Sequence, residues 1–418
     1  MPLFRRLVTV PGAPRDVRDK VSRAPLPRDI KVLIAAAFVI ALGYGIVAPV
    51  LPQFAASFNV GVAAASVIVS VFAFMRLVFA PVGGALVGKW GERRVYLIGL
   101  LIVAVSTGAC AIAQDYWQLL LFRGLGGAGS TMFTVSATAL ILRLAPPNNR
   151  GRVSGAYAST FLLGGILGPV AGGLLAGFGL RMPFIVYAVV LVIAAAVVAV
   201  MLKKPPAGTG EDIPVPEPMA VREALADPAY RAAIVSSFAN GWATFGVRMA
   251  LIPIFAAAVL GAGPATAGLA LAVFAVGNAL ALTFSGRLSD SAGRRPLVIA
   301  GLVIAGLSIA AIGFTESVPL FVAASITAGF GSGLLGPAQQ AAVADIIGND
   351  RTGGKVLAVV QMATDGGAIL GPVLAGALAD RLGYDWAFAA TGAVALAAAL
   401  LWWLFGRETL ARPSPPES

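Results

Sequence analysis

Long runs of apolar residues alternate along the chain with short segments that gather the charged and polar residues. A helix needs about 20 predominantly apolar residues to cross a bilayer, and twelve runs are long enough. They lie near residues 32–53, 63–87, 95–114, 118–142, 154–178, 182–202, 231–259, 265–286, 296–314, 318–341, 355–378 and 386–406. No run shows the apolar–polar alternation of a strand, so the pattern predicts an all-α membrane protein with twelve transmembrane helices.

Composition favours a membrane protein over a soluble one. Of the 418 residues, 58% are hydrophobic and 12% are charged, whereas soluble domains carry about 25% charged residues. Mean hydropathy is +0.88. The 50 glycines are typical of helix bundles in lipid, where small residues let helices approach one another closely.

One sequence cassette occurs twice, and this repeat predicts the domain organisation. The loop GALVGKWGERR (84–94) recurs as GRLSDSAGRR (286–295), and GGILGPVAGG (164–173) recurs as GAILGPVLAG (367–376). The polar segment 203–230 separates six predicted spans from six. We therefore predict two pseudo-symmetric six-helix bundles, 32–202 and 231–406, with a cytoplasmic linker at 203–230, a basic N-tail at 1–31 and a C-terminal tail at 407–418. A duplicated half is typical of secondary transporters that work by alternating access.

The distribution of basic residues predicts how the chain is oriented in the membrane. Net charge is +11, and most lysines and arginines lie in the N-tail, the even-numbered loops and the C-tail. The odd-numbered loops hold only Arg181 and Arg381. Because cytoplasmic loops carry such an excess, we expect an integral protein of a bacterial cytoplasmic membrane with both termini in the cytoplasm. The expected partners of the basic tail are anionic lipid headgroups, not nucleic acid.

The chain lacks the side chains of the usual metal and redox sites. It contains no histidine and one cysteine, Cys110, so we expect no cofactor and no metal. Any coupling to protons must then use a carboxylate, since histidine is the usual titrating group near neutral pH.

The repeated loop carries the first of three motifs. Its second copy completes the pattern G-x-L-x-D-x-x-G-R-[KR], whereas the first copy has Gly88 in place of the acid. The residues of the motif in the two copies are Gly84, Gly91 and Arg93, then Gly286, Asp290, Gly293, Arg294 and Arg295.

Two further motifs lie within predicted spans. Span 4 carries Arg123 in the pattern R-x-x-x-G-x-G. Span 5 carries g-x-x-x-G-P-x-x-G-G, formed by Gly164, Gly168, Pro169, Gly172 and Gly173.

On these motifs the chain resembles the major facilitator superfamily, and within it the twelve-span drug:H+ antiporters, from about Lys31 to Arg407. The resemblance implies that the loop acids and arginines form a conformational gate, which Asp345 is expected to join. It also implies that Arg123 takes part in proton transfer and that the span-5 motif marks an exporter. Other interpretations remain open: the first loop is a solvated basic loop, Arg123 snorkels to the membrane surface, and the span-5 pattern follows partly from duplication.

Two charged residues near the middle of predicted spans are the basis of a hypothesis for proton coupling. Asp365 lies in span 11 and Arg76 in span 2, and in the family these spans face each other across the two halves. Charged residues in a span normally face the bundle interior and have a role. We expect Asp365 to be the proton site and Arg76 to interact with it. The alternative is a permanent structural ion pair.

The predicted substrate cavity is electropositive. Three arginines lie within spans against one aspartate, Asp365, which favours an anionic, zwitterionic or neutral amphipathic substrate over a dication. The candidate cavity residues are Tyr44, Asn240, Trp242, Phe245, Arg248, Gln339, Gln340 and Gln361. For each of them, packing between helices is the alternative.

Taken together, these patterns predict a monomeric, proton-coupled efflux antiporter for small amphipathic or drug-like molecules, with protons, membrane lipids and the substrate as its partners. The alternative is a solute:proton symporter that imports a metabolite. A membrane enzyme or receptor is a third hypothesis, but no nucleophile–base pair or metal cluster in the sequence supports an enzyme.

Overall fold

The computed structural model describes residues 27–144, 150–202, 217–348, 351 and 353–410. Both predicted tails lie largely outside these residues, as does the linker up to residue 216. Twelve helices of transmembrane length follow one another within the described chain. They are α1 (Arg28–Val47, continued by Leu51–Ala56), α2 (Val62–Trp90), α3 (Glu92–Ile112), α4 (Tyr116–Leu144), α5 (Arg150–Leu175), α6 (Met182–Met201), α7 (Pro228–Ala258), α8 (Pro264–Ala292), α9 (Arg294–Ile312), α10 (Val318–Ile347), α11 (Gly354–Leu382) and α12 (Tyr384–Phe405).

The predicted all-α membrane fold is confirmed. Eleven of the helices are long and apolar enough by themselves to cross a membrane. The remaining one, α4, has 29 residues but contains Arg123 and many Gly, Ser and Thr residues, which lower its hydropathy. A short helix at Val221–Ala226 lies between the two sets of six.

Two of the long helices are irregular in the middle of the bundle. Helix α1 is interrupted at Ala48–Val50, because Pro49 offers no N–H and its ring clashes with the preceding turn. Helix α7 contains a π-helical segment at Gly241–Val247. A π segment widens the turn and re-aims the side chains that follow it, and such segments are frequent at functional sites.

Equivalent helices pack in the same way in both halves. A Cβ atom added to Gly99 on α3 would lie 2.8 Å from the carbonyl oxygen of Gly129 on α4. A Cβ atom added to Gly301 on α9 would lie 2.7 Å from the carbonyl oxygen of Gly331 on α10. Gly301 and Gly331 are the counterparts of Gly99 and Gly129 in the second copy of the repeat, so the two backbone contacts are pseudo-symmetric.

Each half has its own apolar core. In the N-terminal half, fully buried side chains include Tyr96, Leu100 and Phe184. In the C-terminal half, Phe255 packs against Phe321 and Phe388 with ring centroids 5.7 and 5.4 Å away. The halves are therefore separate packing units that meet along α2 with α11 and α5 with α8.

The two halves touch at one end of the bundle and separate at the other. We call the end with loops 84–94 and 286–295 the basic end. At the opposite end, a Cβ atom on Gly173 would lie 2.8 Å from Cα of Ala265, and one on Gly376 would lie 2.8 Å from Cα of Ala63. At the basic end, a Cβ atom on Gly84, Gly88, Gly286 or Gly354 would meet nothing within 4 Å. The hydrogen bonds that Gln53, Asp380 and Ser70 make between the halves also lie toward the opposite end, and on these contacts we infer that the space between the halves opens toward the basic end.

Replacing Gly172 by alanine is predicted to destabilise the N-terminal half. The added methyl would overlap the carbonyl oxygen of Ile46 on α1, and backbone cannot move aside as a side chain can. Overpacking of this kind costs about 1–3 kcal/mol. We expect a lower thermal unfolding temperature in detergent for Gly172→Ala. Gly336→Ala, which meets nothing within 4 Å in α10, is the control and should leave the temperature unchanged or raise it; equal behaviour of the two variants would contradict the prediction.

Candidate functional site

Polar side chains in the middle of helices mark the space between the halves. Arg76 on α2 is exposed and Asp365 on α11 is half-buried. Gln361 donates a hydrogen bond from Nε2 to Oδ1 of Asp365 at 3.1 Å. Since charged side chains in mid-helix do not normally face lipid, this exposure indicates that they face the opening.

Arg76 and Asp365 are near each other without direct contact. Arg76 is close enough to act electrostatically on Asp365, but the ion pairs among the described residues do not include the two. The guanidinium and the carboxylate therefore interact electrostatically across the interface between the halves without forming a direct ion pair.

Arg123 lies inside the N-terminal half instead of reaching the membrane surface. Its side chain is 7% exposed, and its guanidinium carbon is 4.0 Å from the ring centroid of Phe72 and 5.8 Å from that of Tyr44. Its buried Nε atom has no hydrogen-bond partner. The cation is held by aromatic rings and not by an acid in the described part of the chain.

Arg248 occupies a similar environment in the C-terminal half. It directly follows the π segment of α7, is 9% exposed, and stands 4.0 Å above the ring of Phe274. Its Nε donates to the carbonyl oxygen of Thr244 at 3.1 Å. An α-helical turn at this point would direct the side chain elsewhere, so the π segment positions Arg248.

The other candidate cavity residues divide into two groups. Trp242 is 8% exposed and its Nε1 donates to Thr391 at 3.4 Å. Gln339 is buried against Ser236 and Ser237, so both of these side chains pack inside the C-terminal half. The residues that retain exposure are Tyr44, Asn240, Phe245, Gln340 and Gln361.

The second copy of the loop motif forms a charge network at the basic end. Arg294 is buried and binds Asp290 through Nη1 at 2.7 Å and Asp345 through Nε at 3.1 Å. Arg295 donates from Nη2 to the carbonyl oxygen of Trp403 at 2.5 Å. The network thus joins the ends of α8, α9, α10 and α12.

Glu408, which the sequence analysis did not single out, completes this network. Its carboxylate accepts hydrogen bonds from the backbone N–H groups of Arg294, Arg295, Thr409 and Leu410 at 2.9–3.1 Å. Partial burial raises the pKa of Glu408, but these four donors outweigh it and hold the pKa below its usual value. The carboxylate therefore caps the N-terminus of α9, where the helix dipole favours negative charge.

The first copy of the loop shares one of these contacts and the glycine turn. Arg93 donates to the carbonyl oxygen of Ala199 on α6 at 2.5 Å, the contact equivalent to that of Arg295. Gly91 has φ +80 and Gly293 has φ +108, so both turns use the conformational freedom of glycine. With Gly88 in the place of Asp290, the arginine–carboxylate contact of the second loop has no counterpart at that position.

The opposite end is sealed by polar contacts between the halves that the sequence did not reveal. Asp380 at the end of α11 accepts from the backbone N–H groups of Val62 and Ala63 at 2.8 and 2.9 Å, so an acid of one half caps α2 of the other. Gln53 donates to the carbonyl oxygen of Pro253 at 3.0 Å.

Deeper along the same interface, Ser70 on α2 donates to the carbonyl oxygen of Ile369 on α11 at 2.7 Å. The sequence gives only one indication of the seal. Asp380 is an acid at the end of a predicted span, on the side of the odd-numbered loops, which carry few charges.

The glycines of the span-5 motif contact two helices, α1 of the same half and α8 of the other half. Gly164, Gly168 and Gly172 press against α1 near Ala41, Gly45 and Ile46. Gly173 presses against Ala265 on α8, in the other half. The motif therefore sets the distance of α5 from a helix of its own half and from the opposite half.

Two pseudo-symmetric six-helix bundles around an opening that is closed at one end define a secondary transporter. The family model described as Major Facilitator Superfamily matches residues 33–249 and 233–418. The chain belongs to this superfamily, and it is an integral membrane transporter and not an enzyme.

Curated relatives carry names of drug efflux proteins. Multidrug resistance protein 2 of Bacillus subtilis is 30% identical over 173 residues, which are 41% of this chain and 43% of that protein. Quinolone resistance protein NorA of Staphylococcus aureus is 32% identical over 175 residues, which are 42% of this chain and 45% of that protein. The matched segment thus spans less than half of each relative.

Among solved structures, the fold resembles a bacterial homologue of the human lysosomal transporter Spinster in an inward-facing and unoccupied conformation. The TM-score is 0.79 at 18% identity, and the match covers 97% of this chain and 100% of the other. At this identity the likeness establishes the fold alone.

The cap formed by Glu408 is predicted to make stability depend on pH in the acid range. A carboxylate with a lowered pKa in the folded state contributes stability above the pKa of the unfolded state, about 4.3, and loses it as pH falls through the folded value. We expect the unfolding temperature of wild type to exceed that of Glu408→Gln near neutral pH, and the gap to close below pH about 4. Glu316→Gln, an exposed acid at the opposite end, serves as control; a gap that stays constant with pH would contradict the prediction.

Removing the Asp380 cap is predicted to favour opening of the sealed end. A helix cap contributes about 1 kcal/mol, which changes a two-state population about fivefold. Spin labels at Ser57 and Trp386 in a Cys110→Ser background should report longer distances for Asp380→Ala. Asp385→Ala, a neighbouring acid packed within its own half, is the control. Identical distance distributions for the two variants would show that the cap does not hold the seal.

Proposed function

We propose that the chain is a proton-coupled efflux antiporter that exports small amphipathic compounds by alternating access from the cytoplasm of a bacterium. The observation that carries this proposal is the half-buried Asp365 with its hydrogen-bond partner Gln361 in the middle of α11, between halves that are joined by polar contacts at the opposite end. It would act as a monomer, with the substrate, protons and anionic lipids as partners.

Orientation follows from the basic residues. The end that holds Lys89, Arg94 and Lys355 is assigned to the cytoplasm, because cytoplasmic loops are enriched in Lys and Arg. The opening then faces inward, and the Asp380 contacts close the outer side. An inward-facing site is the state in which an exporter takes up its substrate.

Protonation of Asp365 provides a physical route to coupling. The carboxylate on α11 and the guanidinium of Arg76 on α2 belong to different halves, so their attraction favours conformations that bring the two together. A proton on Asp365 removes that attraction and shifts the populations of the inward-facing and outward-facing states. The family pattern links Arg123 to the same process.

Export is favoured over import by the span-5 motif and by the relatives. Pro169 and Gly173 lie against α8 at the joint between the halves, and the motif they belong to marks exporters in the antiporter family. Two matched relatives are named for drug resistance. In this proposal the exposed rings of Tyr44, Phe161 and Phe245 face the opening, which then suits amphipathic compounds of varied shape, since such pockets are mostly apolar with few polar anchors.

Asp365→Asn is predicted to abolish proton-driven transport while leaving substrate binding in place. The test uses proteoliposomes with an imposed pH gradient and norfloxacin, a fluorescent quinolone, as the transported probe. Asparagine keeps the size and the hydrogen bond with Gln361 but cannot bind and release a proton, so we expect loss of gradient-dependent flux.

Asp115→Asn, an exposed acid in a loop of the outer side, is the matched control and should transport as wild type does. Undiminished proton-driven flux by Asp365→Asn would eliminate Asp365 as the proton carrier. Uptake in the direction of proton entry by wild type would instead indicate a symporter.

A further inference from the structure

Asn278 is a polar residue in the middle of α8 that the sequence analysis did not single out. Its side chain is half-buried, and its amide makes no hydrogen bond to the residues that the structure describes. Polar groups enclosed in a protein nearly always have a hydrogen-bond partner, and polar residues within a membrane span usually have a function. The amide of Asn278 is therefore a candidate to bind a ligand.

The internal repeat makes Asn278 the counterpart of Arg76. Each of the two residues lies eight positions before the first glycine of its loop motif. Thr131 on α4 donates to the carbonyl oxygen of Arg76 at 2.9 Å. The counterpart of Thr131 on α10 is Gly333, and a Cβ atom added there would lie 2.5 Å from the carbonyl oxygen of Asn278. Since the two backbones pack in the same way, the side chains of Arg76 and Asn278 leave their helices in equivalent directions.

The faces of α8 show that Asn278 points away from lipid. Val276, Leu280 and Phe284 recur every four positions and are exposed, as expected for the face that meets lipid. A helix turns about 100° per residue. Asn278 is two positions from both Val276 and Leu280, so it lies on the opposite face of α8.

This inner face of α8 lies between α5 of the other half and α10 of its own half. Toward α5, a Cβ atom on Gly165 would lie 3.7 Å from Cβ of Ala275. Toward α10, a Cβ atom on Gly277 would overlap the carbonyl oxygen of Ile326. The position of Asn278 on the helix falls between these two directions, so its side chain faces the space between the halves.

The contact between α5 and α8 becomes looser toward Asn278. A Cβ atom on Gly173 would lie 2.8 Å from the backbone of α8, whereas the distance at Gly165 is 3.7 Å. Farther toward the basic end, a Cβ atom on Gly286 would meet nothing within 4 Å. Asn278 follows Ala275 by about one helical turn in that direction. It therefore lies where the two halves separate, within reach of a ligand in the opening.

The two interfaces between the halves differ in charge at this level. The interface of α2 with α11 carries Arg76 and Asp365, whereas their counterparts at the interface of α8 with α5 are Asn278 and Leu162. An asparagine amide offers one acceptor oxygen and two donor hydrogens without a charge. It therefore complements an uncharged carbonyl or amide group on an otherwise apolar molecule.

We propose that Asn278 determines substrate specificity by hydrogen bonding to an uncharged carbonyl or amide group of an amphipathic substrate, on the α5–α8 side of the opening. The proposal rests on the proposed function, since it names the substrate class of the same opening. Substrate is then bound apart from the charged residues of α2 and α11, which serve the proton. A site that hydrogen-bonds a ligand in this way discriminates against an analogue that lacks the polar group.

Equilibrium binding to the purified full-length protein tests this site without requiring transport. Two probes share one ring system and are similar in size: 2-naphthamide carries the amide, and 2-ethylnaphthalene lacks it. Isothermal titration calorimetry in detergent, with empty micelles as the blank, should give tighter binding for naphthamide. Equal binding of the two probes, or tighter binding of ethylnaphthalene, would overturn the proposal.

Substitution of Asn278 then assigns the difference to its amide. Asn278→Leu keeps the approximate size and removes the hydrogen bond, so naphthamide binding should weaken about fivefold and ethylnaphthalene binding should not weaken. Asn278→Gln should recover part of the naphthamide affinity, because it restores an amide. Thr283→Val is the matched control and should bind both probes as wild type does, since Thr283 is an exposed residue of the same helix whose hydroxyl donates to the carbonyl oxygen of Leu280 at 2.7 Å.

Thermal unfolding distinguishes a binding role from a structural one. The amide of Asn278 has no hydrogen bond within the described part of the protein to lose, and replacing an unpaired polar group by an apolar one of similar shape is neutral or stabilising. We expect the unfolding temperature of Asn278→Leu without ligand to equal or exceed that of wild type. A lower unfolding temperature together with weaker binding of both probes would show that Asn278 is structural, and would overturn the proposal.

The outcomes separate this proposal from the proposed function. Naphthamide affinity unchanged in Asn278→Leu refutes the amide site, even if norfloxacin is exported under a proton gradient. Amide-dependent binding that requires Asn278, without any proton-driven flux, supports the site and refutes the antiporter. If Asn278→Leu does not fold, Asn278→Ala replaces it, and naphthamide affinity unchanged in that variant refutes the site equally.

Discussion

Close contact between helix backbones at glycine is the interaction on which this fold depends. Lipid gives helices little hydrophobic reason to associate, so packing at small residues must hold them together. A Cβ atom on Gly127 would lie 2.5 Å from the carbonyl oxygen of Phe72 within one half. Contacts of the same kind at Gly173 and Gly376 join the two halves, but only toward the sealed end. Rigid halves joined by a limited contact at one end can rock relative to each other so that this contact opens, which is the motion that alternating access requires.

The repeat that generates the fold has diverged where the two halves control conformation. In the second loop, Arg294, Asp345 and Glu408 tie the ends of α9 and α10 and the chain after α12 into one hydrogen-bonded unit. In the first loop, Gly88 stands where the second has Asp290, and Arg93 holds the carbonyl oxygen of Ala199. Since satisfied polar networks rigidify the elements that they join, the second loop braces the basic end of the C-terminal half.

The sequence predicts the helices well because each helix is encoded by one continuous run of residues. It predicts the site poorly because the site is formed by residues that are far apart in the chain. Twelve apolar runs became twelve helices, and the one visible break in α1 follows from Pro49. Trp242 was expected at the cavity, but the π segment and Thr391 bury it. Asp380 reaches Val62 over 318 positions of sequence, a pairing that neither periodicity nor spacing can indicate. The aromatic partners of the arginines likewise depend on rotation of whole helices, which hydropathy does not encode.

The strength of the seal must match the energies that proton and substrate can supply. The polar contacts that close the opposite end are an exposed carboxylate on two backbone N–H groups and single hydrogen bonds from Gln53 and Ser70. Net contributions of such bonds are about 1 kcal/mol each, so the polar part of the seal contributes a few kcal/mol beside the glycine packing. A ligand can shift a conformational equilibrium only by its differential affinity for the two states. One neutralised carboxylate is of that size. The modest polar contacts at the seal are therefore what lets a transporter of this fold turn over.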